Sequence, residues 1–80
     1  VYVPASLRGA DATQAGNEQI ALTRRIIEAY PETFEFAQSA ADIVRIHRAG
    51  RIASMLGMEG GEAIQSNLDI LREFRRQGVL

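Results

Sequence analysis

Apolar and polar residues along the chain change period several times, and each change marks a new element. Val1 to Val3 is a short β-type run ended by Pro4, and Arg8-Gly9-Ala10-Asp11 is loop chemistry leading into a helical start. From about Ala12 to Tyr30, residues Ile20, Leu22, Ile26, Ile27 and Tyr30 share one half of a helical wheel, with Arg24, Arg25 and Glu28 on the other. Pro31 ends that helix by disfavouring helical backbone at the residue before it. Thr33 to Ala37 alternates apolar and polar side chains, as a short strand does.

Ser39, followed three residues later by Asp42, approximates a capping box, and Gly50 is placed as a stop, so the spacing predicts a second helix over Ala40 to Ala49 with Ile43, Val44 and Ile46 as its apolar face. Ile52 to Met58 is an almost continuous apolar run of strand length, the pattern of a parallel strand covered on both faces. Beyond Glu59-Gly60-Gly61, Ser66 or Asn67 can cap a third helix that carries Leu68, Ile70, Leu71 and Phe74 on one side and stops at Gly78, before a last apolar pair, Val79-Leu80. The order is β, α, β, α, β, α, β. Strands alternating with helices imply right-handed crossovers and a parallel α/β sheet or barrel.

Composition narrows the function. Nine basic residues, all arginine, face ten acids, and their interleaving leaves no basic patch, which argues against nucleic acid as a partner. No apolar run approaches the roughly 18 residues of a membrane span. The absence of cysteine excludes disulfides, thiol nucleophiles and cysteine-based metal sites, and the absence of lysine excludes Schiff-base chemistry. A single core of this length seldom supplies more than about 3 to 5 kcal/mol without staples. The chain also opens and closes on β-type residues, so it is expected to be one partial domain, residues 1–80, of something larger.

Glu59 is the candidate for chemistry. It is a carboxylate at the carboxyl end of the most apolar strand, where parallel α/β folds gather their sites. Strand alternation puts Ala53, Met55, Gly57 and Glu59 on one face and Ile52, Ser54, Leu56 and Met58 on the other, with glycine beneath the carboxylate leaving room. Spacing alone leaves two readings open, a functional acid or a strand-end acid in an ordinary glycine turn. His47 is the only histidine, so no two-histidine metal motif or Ser-His-Asp triad can form, and its helical position suits a core-edge or interface residue. Asp69 with Arg72, and Glu73 with Arg76, are three apart on a solvated helix face. The glycines of Gly57 to Gly61 match no phosphate-binding loop.

The stretch Tyr30-Pro-Glu-Thr-Phe, then Arg51-Ile-Ala-Ser-Met-Leu-Gly-Met-Glu-Gly-Gly, then Ile64 and Leu68 to Gly78, together with the opening Val1-Tyr-Val-Pro, resembles the membrane (renal) dipeptidase family of zinc peptidases. The resemblance covers essentially all 80 residues, with Gly-Met-Glu-Gly-Gly its most specific part. It implies a (β/α)8 TIM-type barrel of which this chain is an early-middle segment, and hydrolysis of dipeptides by a metal-activated water. It also implies that Glu59 bridges two Zn2+ ions, each carboxylate oxygen binding one of two metals about 3.5 to 4 Å apart. The expected partners are a dipeptide substrate and the remainder of the barrel, which supplies the other zinc ligands, with a homodimer left open; the 80 residues alone are expected to be inactive. Family members often carry histidine where Glu62 stands here, which adds negative charge beside the site. Two further readings stay open: another α/β barrel hydrolase with Glu59 as general acid or base, and a catalytically silent module on the same scaffold.

Overall fold

A computed structural model describes Val1 to Leu80. Its elements are α1 (Gly9–Ala29), β1 (Phe34–Phe36), α2 (Ala40–Arg48), β2 (Ile52–Ser54), a 3-10 turn (Glu62–Ile64) and α3 (Leu68–Arg76). β1 and β2 form a two-stranded parallel sheet, with Phe34 opposite Ile52 and Phe36 opposite Ser54. Beyond β2 the chain stays extended and pairs in parallel at single residues, Leu56 with Val79 and Glu59 with Tyr2. The alternation of helices with parallel strands is therefore present. The four full strands expected are not: the first and last reduce to one paired residue each, and the run from Ile52 to Met58 is regular only as far as Ser54.

The helix ends follow from local chemistry. The Ser39 hydroxyl accepts a hydrogen bond from the Asp42 N–H at 3.1 Å, while the Asp42 carboxylate reaches back to the Gln38 N–H at 2.9 Å. The acid thus satisfies the donor one residue outside the cap. That backbone bond, with the Ser39 hydroxyl second, holds the Asp42 carboxyl below its ordinary range. A carboxylate depressed in this way supports the fold at neutral pH, and its support is lost as pH falls through the lowered value. Of the two candidates for α3, Asn67 is the cap, its side-chain oxygen accepting from Asp69 N–H at 2.8 Å and from Ile70 N–H at 3.4 Å.

The core gathers where α1, the 3-10 turn and α3 meet. Phe74, Ile20, Ala12 and Ala63 are buried there with Val3, Leu56 and Val79. The α1 stripe that does this is Ala12, Gly16, Ile20 and Ile27, spaced four, four and seven. Leu22, Ile26 and Tyr30, expected on the buried half, are instead 50%, 46% and 60% exposed. The reason is steric: a Cβ on Gly16 would lie 3.2 Å from the Phe74 ring and 3.4 Å from Ala63, so the small residues set which side of α1 can be approached closely. In α2 only Ile46 is buried, Ile43 is half-buried and Val44 is exposed. His47 is exposed as well, so of the two positions expected for it, core edge or interface, the core edge is corrected: Ile46, one residue and about 100° away around the helix, points inward.

The strand expected to be covered on both faces is covered on one. Leu56 is 5% exposed and Met58 half-buried, whereas Met55 on the other side is 54% exposed; Ile52, at the start of β2 on the Leu56 side, is also exposed, so the cover reaches only the Leu56–Met58 part of that face. The helices cover the Leu56 side, and no layer among these residues covers the Met55 side. Two polar clusters absent from the periodicity tie the edges together. Glu35 of β1 accepts from Arg45 of α2 at 2.9 Å and from Arg51, whose guanidinium also donates to the Pro31 carbonyl at 3.4 Å. Arg24 donates to the Gln77 carbonyl and stands 4.7 Å over the Phe36 ring. The expected Asp69–Arg72 and Glu73–Arg76 pairs form at 2.8 and 2.5 Å on the exposed face of α3, where such pairs contribute little.

Gly78 turns the chain from α3 back to Leu56 with φ at +105°, and a Cβ there would come within 2.5 Å of the Phe36 ring. Gly78→Ala is therefore expected to destabilise the fold by about 3 kcal/mol, from left-handed backbone and overlap together. Thermal melting followed by circular dichroism checks it; a melting temperature within about 1 °C of wild type would contradict this packing.

Candidate active-site segment

Glu59 closes the extended run that begins with β2. Its backbone is fixed on one side by the Val1–Tyr2 segment: the Glu59 N–H donates to the Val1 carbonyl at 2.9 Å, and the Val1 nitrogen donates to the Gly57 carbonyl at 2.6 Å. One residue before Gly57, the Leu56 carbonyl accepts from the Leu80 N–H at 2.8 Å. Adjacent residues of an extended chain turn their carbonyls to opposite sides, so the segment is held from both edges. The Glu59 side chain is exposed, and its carboxylate takes no hydrogen bond or ion pair from the other residues.

The space around it matches the sequence expectation. A Cβ placed on Gly57 would meet nothing within 4 Å, so the face beneath Glu59 is open. Val1, Tyr2, Gly57, Met58 and Glu59 line a shallow depression of about 350 Å³. After Glu59 the chain turns at Gly60, with φ at +85°, into the 3-10 turn. Glu62, half-buried, folds back so that its carboxylate lies 2.5 Å from where a Cβ on Gly60 would stand. The turn therefore carries a second acid close behind the first.

A larger hollow, about 490 Å³, lies among Met58, Ile64, Leu71, Phe74, Val79 and Leu80. It has no carboxylate, histidine or hydroxyl on its walls and is the uncovered flank of the Phe74 core. Its charged lining is Arg72 and Arg75, whereas Glu59 carries a group able to bind metal or take a proton, so Glu59 is the candidate for chemistry.

No three His, Cys, Asp or Glu side chains come together anywhere in the chain. His47 sits in the last turn of α2 with Arg45 and Arg48, where positive charge complements the helix C-terminus, and the structure does not bring it to Glu59. Glu59 thus offers two free carboxylate oxygens on an open face, and a closed ligand set needs donors from outside these residues. Sequence reasoning missed the polar side chains that hold this segment from α1, Gln19 against Tyr2 and Thr13 against Ala63 and Gln65. They are single polar residues at the edge of an amphipathic helix, with no motif to mark them. No helix is long and apolar enough to cross a membrane.

Comparison with known proteins gives this geometry a context. The chain is 44% identical over 62 residues to the dipeptidase ataJ of Aspergillus terreus, covering 78% of the chain and 15% of that protein. It is 42% identical over 62 residues to the dipeptidase tcpJ of Claviceps purpurea, with the same coverage. Dipeptidase 3 of Rattus norvegicus is 36% identical over 78 residues, 98% of the chain and 15% of that protein. The chain accordingly spans about 15% of the length of the curated relatives it matches. The model of the membrane dipeptidase family, peptidase family M19, matches residues 1–80, and the chain belongs to that family.

Proposed function

We propose that these residues are an early-middle segment of a (β/α)8 barrel that hydrolyses dipeptides with two zinc ions, and that Glu59 is the carboxylate bridging them. The observation that carries this reading is the family match over residues 1–80, with Glu59 unpaired above an open face at the end of its strand. The alternation of helices with parallel pairings agrees with a barrel segment. The relatives named as dipeptidases supply the substrate class.

A carboxylate that is neither hydrogen-bonded nor ion-paired keeps both oxygens available, and this is what a bridging ligand requires. A bound zinc pair lowers the pKa of water and polarises a scissile carbonyl. The contribution of this chain is narrower: Glu59 holds charge at a fixed position, Gly57 keeps the adjoining volume free for substrate, and the Gly60–Gly61 turn leads the chain away without covering the carboxylate. The remaining ligands, and the groups that bind the dipeptide ends, come from the rest of the barrel. These 80 residues alone are inactive in this reading, since they hold one ligand of several.

Two substitutions in the full-length protein test it. Glu59→Gln replaces one oxygen with an NH2 that cannot bind metal, so it loses at least one zinc and most dipeptidase activity with the fold kept. Metal analysis beside kinetics decides: a variant that keeps two zinc ions and wild-type kcat ends the proposal, and one that keeps both ions but loses turnover assigns Glu59 to proton transfer instead. Gly57→Val tests the open face. Valine suits extended backbone and meets nothing within 4 Å, so the melting temperature holds or rises. The same side chain fills the volume beside the carboxylate, so kcat/KM falls at least about tenfold. Wild-type kcat/KM would place that face away from the site.

A further inference from the structure

The segment carrying Glu59 has little stiffness of its own, because Gly57, Gly60 and Gly61 fall within five residues. Its position is imposed from outside, and α1 reaches it from both sides. On the first side the Gln19 amide pairs with both backbone groups of Tyr2. The Tyr2 N–H donates to Gln19 Oε1 at 2.8 Å, and Gln19 Nε2 donates to the Tyr2 carbonyl at 2.5 Å. A side-chain amide offering one donor and one acceptor to a single residue does what a neighbouring strand would do. Tyr2 is the residue paired in parallel with Glu59, and its neighbour Val1 makes the bonds to Glu59 and Gly57.

On the second side the Thr13 hydroxyl donates to the Ala63 carbonyl at 2.6 Å and accepts from Gln65 Nε2 at 2.6 Å. Gln65 and Ser66, at φ +53° and +52°, are the two non-glycine residues with left-handed backbone. Such backbone persists only where its surroundings hold it. Thr13 bonds to the carbonyl two residues before this pair and to the side chain of its first member.

We propose that Gln19 and Thr13 are positioning residues for Glu59: α1 fixes the carboxylate through Tyr2 on one side and through the Ala63–Gln65 turn on the other. The inference rests on the reading of Glu59 as a metal ligand. Misplacing a reacting group by about 1 Å can cost on the order of 100-fold in rate, so loosening either hold should be felt in turnover more than in stability.

The test uses the full-length zinc-loaded protein with Gln19→Met, which keeps length and removes both hydrogen-bonding groups, and Gln19→Glu, which keeps only the acceptor for Tyr2. Thr13→Val and Thr13→Ser form the second pair, the serine retaining the hydroxyl. Three quantities are read: amide hydrogen exchange at Glu59, kcat and KM for a dipeptide, and melting temperature. Gln19→Met should speed exchange at Glu59 and lower kcat, each about tenfold or more, with KM within about twofold. Gln19→Glu should fall between Gln19→Met and wild type. Thr13→Val should lower kcat in the same way, and Thr13→Ser should restore it, with melting temperatures near wild type throughout. Unchanged exchange in Gln19→Met overturns the proposal, as does faster exchange with unchanged kcat, or a loss of activity that only tracks a loss of melting temperature. The exchange measurement needs neither metal nor turnover, so a failure of the metal-ligand reading, seen with Glu59→Gln, is told apart from a failure of this one.

Discussion

The ring of Phe74 lies against Gly16, and most of the structure depends on that contact. Phe74 is 1% exposed and is among the largest side chains that are fully buried. A Cβ at position 16 would come within 3.2 Å of the ring and 3.4 Å of Ala63, tighter than ordinary contact, so glycine lets the ring and the 3-10 turn pack on α1 without being displaced. The same approach buries Ala63 beside it and brings the end of α3 to the point where Gly78 can turn Val79 onto Leu56. Burying a side chain of this size contributes on the order of 2 to 3 kcal/mol by area, a large fraction of what a small core supplies.

From that contact the placement of Glu59 follows in steps. Leu56 enters the core under Phe74 and Val79, which fixes the phase of the extended run. Side chains alternate along it, so Met58 turns toward the same core while Gly57 and Glu59 turn to the open face. Hydrogen bonds to Val1 and Leu80 then hold the run from its two edges. An acid placed this way is presented at a strand end without being buried or paired, and α1 organises both the core beneath it and the backbone around it.

Helix ends were legible in the sequence, with the cap of α3 narrowed to Ser66 or Asn67. Ser39, Asn67 and Gly50 bound their helices through short-range hydrogen bonds and one backbone angle, all encoded within a few residues. Beyond β2 the phase was legible too, since alternation is a local rule: Leu56 is buried and Met58 half-buried, with Gly57 and Glu59 exposed, while Ile52 within β2 departs from it. Burial was not legible where it depends on what is missing opposite a face. Leu22, Ile26 and Met55 look like core residues by type and stand exposed because nothing among these 80 residues packs on them. The true stripe of α1 runs through Ala12 and Gly16, whose small size gives no hydrophobic signal. The Glu35–Arg45 and Glu35–Arg51 pairs and the Gln19–Tyr2 pairing join residues 10 to 17 apart through tertiary geometry, and no periodicity records that. The metal role proposed for Glu59 is of the same kind, because the chain holds no second ligand beside it.

Anomalous diffraction at the zinc edge, from crystals of the full-length protein, tests the central claim most directly. The account predicts two peaks on the open face beside Gly57, each at about 2.0 to 2.2 Å from one carboxylate oxygen of Glu59. Zinc peaks elsewhere in the protein with none at bonding distance from Glu59, or a Glu59 side chain turned toward α1 and α3, would contradict it.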